Sequence, residues 1–353
     1  MQITHVEVVP VELSLRLPYR TAYHTDVECT ETVFIRIETR KGKVAWGCAA
    51  FDPAITGETL EEVTRACRAC ADHALDLNPL NAEFALAELA ALTQNTPSAL
   101  CAFDIAFHDL LGLAAGLPLY RLLGGYRHRI QTSITLSVAT VKETVELARD
   151  RARQGFRILK LKGGLDPHED VRRLQAVYNA LPHLTLRLDA DQGYTAQQAL
   201  DVTRALEGKL EMLEQPTPAD DLDALSEVTR RSPVPILADE SLTGPPSALE
   251  IAGRRAAHGM SVKLATCGGL SCARQVDAIV RAARMATMVG CVNEPALLIA
   301  AGLCFALSSP NVRYGDLDGH FDLVNDPSRP GFLFEAGWLI ATDVPGLGCT
   351  VEL

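Results

Sequence analysis

Four stretches decide the fold: RILKLKG (157–163), LTLRLDA (184–190), LEMLEQP (210–216) and VPILADE (234–240). Each is a short apolar run that ends in charge. Helical periodicity separates consecutive runs, with helices expected near 167–180 and 195–207. A parallel strand pair needs a crossover, usually a helix, so this alternation points to a parallel sheet. The same pattern extends outward. SITLSV (133–138) comes first, with a helix expected near 141–154, and MSVKLAT (260–266), ATMVGCV (286–292) and RYGDLD (313–318) follow. Eight candidate strands favour a sheet closed as a βα barrel, with a doubly wound open sheet as the alternative. No GxGxxG follows any of them, so a dinucleotide site of that type is unsupported.

The region before the barrel reads differently. THVEVVPVEL (4–13) and ETVFIRIETRKGKVAWG (31–47) alternate like antiparallel strands, the second with a Lys-Gly turn between two β-rich runs. Residues 58–124 then switch to helical periodicity. GETLEEVTRACRACADHAL is one amphipathic helix, SALCAFDIAFHDLLGLAAG a more buried one, and LPLYRLLGG closes on a Gly-Gly stop. Strands followed by helices predict an α+β first domain.

The chemistry sits at strand ends. Lys162, Asp189, Glu214, Asp239 and Lys263 follow one another at 24 to 27 residues, one βα unit apart. Lys160 precedes them, and Asp316 and Asp318 close the eighth strand. A single Asp at such a place is commonly a helix cap or turn residue. Three carboxylates at near-equal spacing, flanked by lysines, are not. In a barrel all carboxyl ends face one mouth, so the register converges these groups on one cavity. Three carboxylates form a hard-cation site that favours Mg²⁺, and the lack of histidine at corresponding strand ends argues against zinc. Such a metal stabilises an enolate as a Lewis acid. A lysine on either side of that enolate can remove or return a proton. To serve as a base it needs a lowered pKa, and Lys160 and the metal are expected to lower that of Lys162.

Composition narrows the partners. Lys and Arg number 33 against 44 Asp and Glu, a net charge of −11. A chain this acidic is a poor nucleic-acid binder. The longest apolar run noted, Ala296 to Leu307, is short of the roughly 20 residues a bilayer needs, and no secretory segment is read at the N-terminus. No membrane or nucleic-acid partner is expected. Ten scattered cysteines, with Cys67 and Cys70 inside a helical pattern, read as reduced thiols and predict a cytoplasmic protein.

The charged motifs resemble the enolase superfamily, in particular its muconate lactonizing enzyme subgroup. They are Lys160-Leu-Lys162, RLDADQG around Asp189, LEQP around Glu214, ADES around Asp239 and VKLATCGG around Lys263, with FDIAFHDLLG and LPLYRLLGG similar to the family's approach to the barrel. The resemblance implies a modified (β/α)7β TIM-type barrel at 126–318 and an α+β capping domain at 1–125, with a tail, 319–353, returning to the cap. By it, Asp189, Glu214 and Asp239 hold one Mg²⁺. Lys162 and Lys263 form the acid/base pair, Lys160 assists, and Asp191 and Glu240 stand behind the ligands. Asp316-Leu-Asp318 resembles the DxD signature of dipeptide epimerases, where the aspartates hold the substrate's α-ammonium group. The expected function is Mg-dependent inversion of the C-terminal residue of a dipeptide, in a homo-oligomer.

Some positions depart from the family pattern. Asp191 replaces the usual Asn, Asn293-Glu294-Pro295 replaces a small residue with Glu-Ser or Glu-Thr, and Cys48 replaces a common Glu. The loop PYRTAYHT (18–25) carries His24 where Ala-Glu epimerases carry Arg. Tyr19, His24, Phe51 and Ile55 are the expected side-chain contacts, which predicts activity on uncharged dipeptides and weak activity on Ala-Glu. A muconate cycloisomerase, an o-succinylbenzoate synthase and an N-acylamino acid racemase are the alternatives within the subgroup. Their substrates lack the free α-ammonium that Asp316 and Asp318 suit. A non-catalytic metal-dependent binding protein would not need lysines on both faces.

Overall fold

Eight parallel strands follow one another in chain order: Ser133–Leu136, Ile158–Lys162, Thr185–Asp189, Met212–Glu214, Ile236–Ala238, Gly259–Lys263, Ala286–Gly290 and Val312–Gly315. The structure, a computed structural model, describes residues Met1–Leu353. Gly315 of the eighth strand bridges Thr132 beside the first, so the sheet curls into a nearly closed ring rather than an open doubly wound sheet. Helices separate the strands and begin where the sequence supplies caps. Thr140 with Glu143 and Thr195 with Gln198 form capping boxes, and Asp166 caps Pro167–Ala180. Outward-facing Leu159, Leu161, Leu186 and Leu188 join the core under those helices, while Lys160, Lys162, Arg187 and Asp189 take the alternate, inward positions. Below the charged layer, Met212, Leu237 and Met288 fill the barrel, with the Arg187 guanidinium 5.4 Å from the Tyr314 ring centre.

The N-terminal sheet is antiparallel, Ile3–Tyr19 with Val27–Thr39 and then Val44–Ala50. Helices Leu60–Ala74, Ala82–Ala90 and Pro97–Ala115 cover it and enclose a second core. Pro97–Ala115 is long and apolar enough to cross a membrane by length and composition, but two-thirds of it is buried within this fold. It presses on the third strand so closely that a Cβ at Gly47 would lie 2.0 Å from the Ala102 carbonyl oxygen. Cys67 and Cys70 are buried in the first of these helices, and all ten cysteines are free thiols.

The last residues reach back. Leu323 bridges Leu15, Arg16 donates its N–H to the Asp322 carbonyl, and Gly346 bridges Pro118. The hairpin Phe332–Glu335 and Trp338–Ala341 pairs with Arg129–Gln131. The eighth strand stops at Gly315, earlier than RYGDLD suggested, because Asp316 and Asp318 turn their carboxylates to partners inside the ring.

Candidate active site

Parallel pairing sets the level of each charged group. Lys162 pairs with Asp189, and Asp189 with Glu214, so three successive strand ends lie side by side. Asp239 stands one residue beyond its strand, and its N–H is held by the Gln215 side chain, which also bonds Ser241. Asp191, Gln192 and Gln215 follow the carboxylates at φ 44°, 67° and 29°. Such left-handed backbone in non-glycine residues is costly and gathers at functional sites. Opposite, Gly290 makes room for Lys263, whose Cγ would be 3.3 Å from a Cβ there.

One ligand atom each from buried Asp189, Glu214 and Asp239 can be chosen so that all lie within 4.8 Å of one another. An octahedral oxygen shell at ~2.0–2.1 Å spans about that distance, so the set fits a small hard cation. Glu214 Oε1 is buried without a hydrogen-bond partner, as are Asp191 Oδ2 and Glu240 Oε2 behind it. Burial, with the Asp189 and Asp239 charges adding to it, pushes the Glu214 carboxyl up to about 8 against the pull of Lys160. That is the unfavourable crowding of like charge a divalent cation relieves.

The three lysines hold the carboxylates together. Lys160 Nζ lies 2.9 Å from Asp189, 2.7 Å from Glu214 and 2.7 Å from Asp316. Lys162 donates to Asp189 at 2.8 Å and Asp191 at 2.7 Å, and Lys263 to Asp239 at 2.5 Å. Lys162 and Lys263 thus enter from different strands on either side of the triad. Lowering of Lys162 by its neighbour Lys160 is not met in this arrangement. Burial disfavours its ammonium form, but Asp189 and Asp191 outweigh burial and hold Lys162 well above its ordinary value.

The two aspartates of the DxD segment differ. Asp316 is bonded to Lys160 and Ser133, and after the burial cost these cations and donors keep its carboxyl low. Asp318 accepts from the Thr135 N–H at 2.5 Å and faces the Cys291 thiol, and burial beside Asp316 raises it to about 6. Both line one cavity with Tyr19, His24, Ile55, Lys160, Lys162 and Lys263. Phe51 lines an adjoining cavity that shares Tyr19, His24, Asp52, Val292 and Asn293 with the first.

Two residues that matter here went unread in the sequence. Tyr23, in the first-domain loop, donates to Glu240 at 2.6 Å and lies 3.0 Å from Asp191. Asp52, between Phe51 and Ile55, is bonded to His24 Nε2 at 3.1 Å and lines both cavities. The cap lining is therefore not apolar apart from His24. PYRTAYHT and AFDPAIT read only as loops because neither carries a periodicity that would aim a side chain.

An acidic triad between lysines, at the mouth of a capped barrel, defines an enolate-forming class of site. The chain belongs to the enolase superfamily, matching "Mandelate racemase / muconate lactonizing enzyme, N-terminal domain" over residues 3–124 and "Enolase C-terminal domain-like" over 143–352. It is 38% identical to an L-Lys-D/L-Arg epimerase of Methylococcus capsulatus, over 99% of both chains. It is 34% identical to an L-Ala-D/L-Glu epimerase of Bacillus subtilis, over 99% of this chain and 96% of that one. A crystal structure of the Enterococcus faecalis dipeptide epimerase, with Mg and L-Leu-L-Tyr, superposes with TM-score 0.96 at 32% identity, covering 99% and 100% of the two chains.

Proposed function

We propose that this protein is a Mg-dependent dipeptide epimerase that inverts the α-carbon of the C-terminal residue. The observation that carries the reading is one cavity lined by Lys160, Lys162, Lys263 and the acidic pair, with the buried carboxylate triad bonded directly to those lysines. The full-length likeness to proteins named as a Lys-Arg epimerase, an Ala-Glu epimerase and a dipeptide epimerase supports it. Asp189, Glu214 and Asp239 would hold the Mg²⁺, which when bound supplies Lewis-acid stabilisation of charge on the substrate carboxylate.

Lys162 removes the α-proton from one enantiomer, and Lys263 returns a proton to the opposite face; the roles exchange for the other enantiomer. One of the two enters as the free amine and the other as the ammonium ion. Lys160, held by Asp189, Glu214 and Asp316, adds fixed positive charge beside the reacting carboxylate. Asp318 takes the substrate's α-ammonium, and Asp316, already bonded to Lys160 and Ser133, contributes its charge from behind. Residues 1–125, with the tail 319–353, act as the cap that closes over 126–318. The contacts of Leu323 with Leu15 and of Asp322 with Arg16 support that division. Ten free thiols support a reducing, cytoplasmic setting.

The test is a dipeptide library incubated in D₂O with protein and Mg²⁺, read by mass. One-deuteron uptake into dipeptides, lost on adding EDTA, is expected. Exchange into N-acylamino acids but not dipeptides would overturn the reading in favour of a racemase that needs no free α-ammonium.

A further inference from the structure

The α-carbon being inverted has four substituents, and the proposed function fixes the direction of three. The carboxylate faces the triad, the amide nitrogen leads toward Asp316 and Asp318, and the proton lies on the line between Lys162 and Lys263. The side chain must leave toward the cap. There it meets Asp52. This side chain is 17% exposed and lines both cavities. Its Oδ1 is engaged twice, by His24 Nε2 at 3.1 Å and by the Ala54 N–H at 3.0 Å. Its Oδ2 has no hydrogen-bond partner in the chain.

His24 is itself oriented from behind. Its Nδ1 lies 3.2 Å from Thr21 Oγ1, which also accepts the Tyr23 and His24 N–H groups. The ring therefore presents Nε2 to Asp52 and acts as a positioning residue. Burial works against the Asp52 charge, yet the His24 and Ala54 donors outweigh it and hold the carboxyl below its usual value. Beyond Asp52 the adjoining cavity adds Glu31 and, His24 aside, no basic residue. Lys263, whose charge also acts on Asp52, is already committed to Asp239.

We propose that the residue inverted by this protein carries a long cationic side chain, with Asp52 Oδ2 as the group that reads its charge and Glu31 lining the space beyond. This rests on the epimerase reading and deepens it. The reading revises the expectation of uncharged side chains, which took no account of Asp52, and keeps the expectation of weak activity on Ala-Glu, whose carboxylate would face a fixed anion. A lysine or arginine side chain is long enough to put its charge one cavity beyond the α-carbon, and a charge-assisted hydrogen bond in a half-buried site discriminates strongly.

The experiment compares kcat/KM for L-Ala-L-Lys, L-Ala-L-norleucine and L-Ala-L-Glu. Norleucine nearly matches lysine in shape and lacks the charge. Wild type is expected to favour lysine over norleucine on the order of 10- to 100-fold, with Ala-Glu weakest, as a hydrogen bond to a charged group predicts. Asp52→Ser keeps an oxygen acceptor for the Ala54 N–H, and Asp52→Asn keeps the shape. In both, the lysine-to-norleucine ratio should fall toward one. A wild-type ratio near or below one, with norleucine turned over, overturns the inference and leaves the epimerase reading intact. A ratio that persists in both variants also overturns it. Failure of every dipeptide to exchange overturns the epimerase reading itself.

Discussion

The barrel mouth and the cap loops meet over one cavity, but they are built on opposite principles. At the mouth, Lys160, Lys162, Asp189, Glu214, Asp239 and Lys263 leave or directly follow strands whose neighbours fix their height, and each lysine touches at least one carboxylate. In the cap, residues 20–26 and 51–56 reach the cavity between strands, through turns held by short-range bonds, such as Thr21 to His24 and Asp52 to Ala54. The difference teaches how one chemistry can serve several substrates. Relatives at 38% and 34% identity carry the names of a Lys-Arg and an Ala-Glu epimerase. On the proposed function, a mouth fixed by strand register would hold the reaction, and loops could exchange one reading residue without disturbing the ladder.

The largest effect should come from breaking the mouth. Lys263→Ala and Lys162→Ala are each expected to lower kcat for epimerization by about 10³-fold or more, at the upper part of the range for a lost acid or base. The loss should be the same for every dipeptide. Lys263→Ala should still exchange the α-proton of one enantiomer with D₂O, and Lys162→Ala that of the other. Near wild-type epimerization by both variants would remove the two-lysine assignment. So would a loss that differs widely between substrates.

The second effect separates two histidines, one in the cap loop and one in the tail just past the eighth strand. In the cap, both ring nitrogens of His24 have partners, Thr21 and Asp52. His320, two residues past Asp318, lies against Phe321 and Phe332 with its Nδ1 buried and unpartnered. Burial pushes this imidazole down to about 4 from 6.5, against the weaker pull of Asp322. Its folded pKa is depressed, so the unfolded chain binds the proton more readily. Stability from this group is therefore full above 6.5 and is lost as pH falls toward 4. The loss is about 3 kcal/mol at 1.36 kcal/mol per unit. Urea unfolding of wild type and His320→Gln between pH 7 and 4 measures it. An equal acid dependence in the two proteins would show that His320 does not titrate this way.

The same contrast explains what could be read without coordinates. The 24-to-27-residue spacing from Lys162 to Lys263 pointed to the convergence of the charges, because a parallel ladder turns sequence spacing directly into position, while closure of the sheet over an open doubly wound one was favoured rather than decided. The exit of the eighth strand was legible only in outline. Asp316 and Asp318 were identified, but not that Lys160 and Ser133 occupy Asp316 while Asp318 accepts from a backbone amide. Tyr23 and Asp52 were out of reach for another reason. Their bonds to Glu240 and His24 join segments 217 and 28 residues apart through irregular backbone, and no local pattern encodes such a meeting. A departure from the family pattern pointed to His24, and the structure sets Asp52, from a separate loop, against its ring.

The smallest effect tests whether the cap is a clamp as well as a reader. Tyr23 donates to Glu240 and reaches Asp191, so its hydroxyl ties the loop to the ring of carboxylates behind the triad. Tyr23→Phe removes that tie and little volume. Asp191 keeps its bond to Lys162, whereas buried Glu240 is left without the Tyr23 donor. A hydrogen bond to a charged group contributes ~1.5 kcal/mol or more, which corresponds to about tenfold. Because the bond holds the cap rather than the reacting atoms, KM should rise by about that factor for cationic and neutral dipeptides alike, with kcat nearly kept. The ratio between the two substrates should not move, in contrast to Asp52→Ser. A fall in kcat at constant KM would place Tyr23 among the groups that touch the reaction. A changed substrate ratio would make it a second reader, and the division of labour between the two cap loops would have to be redrawn.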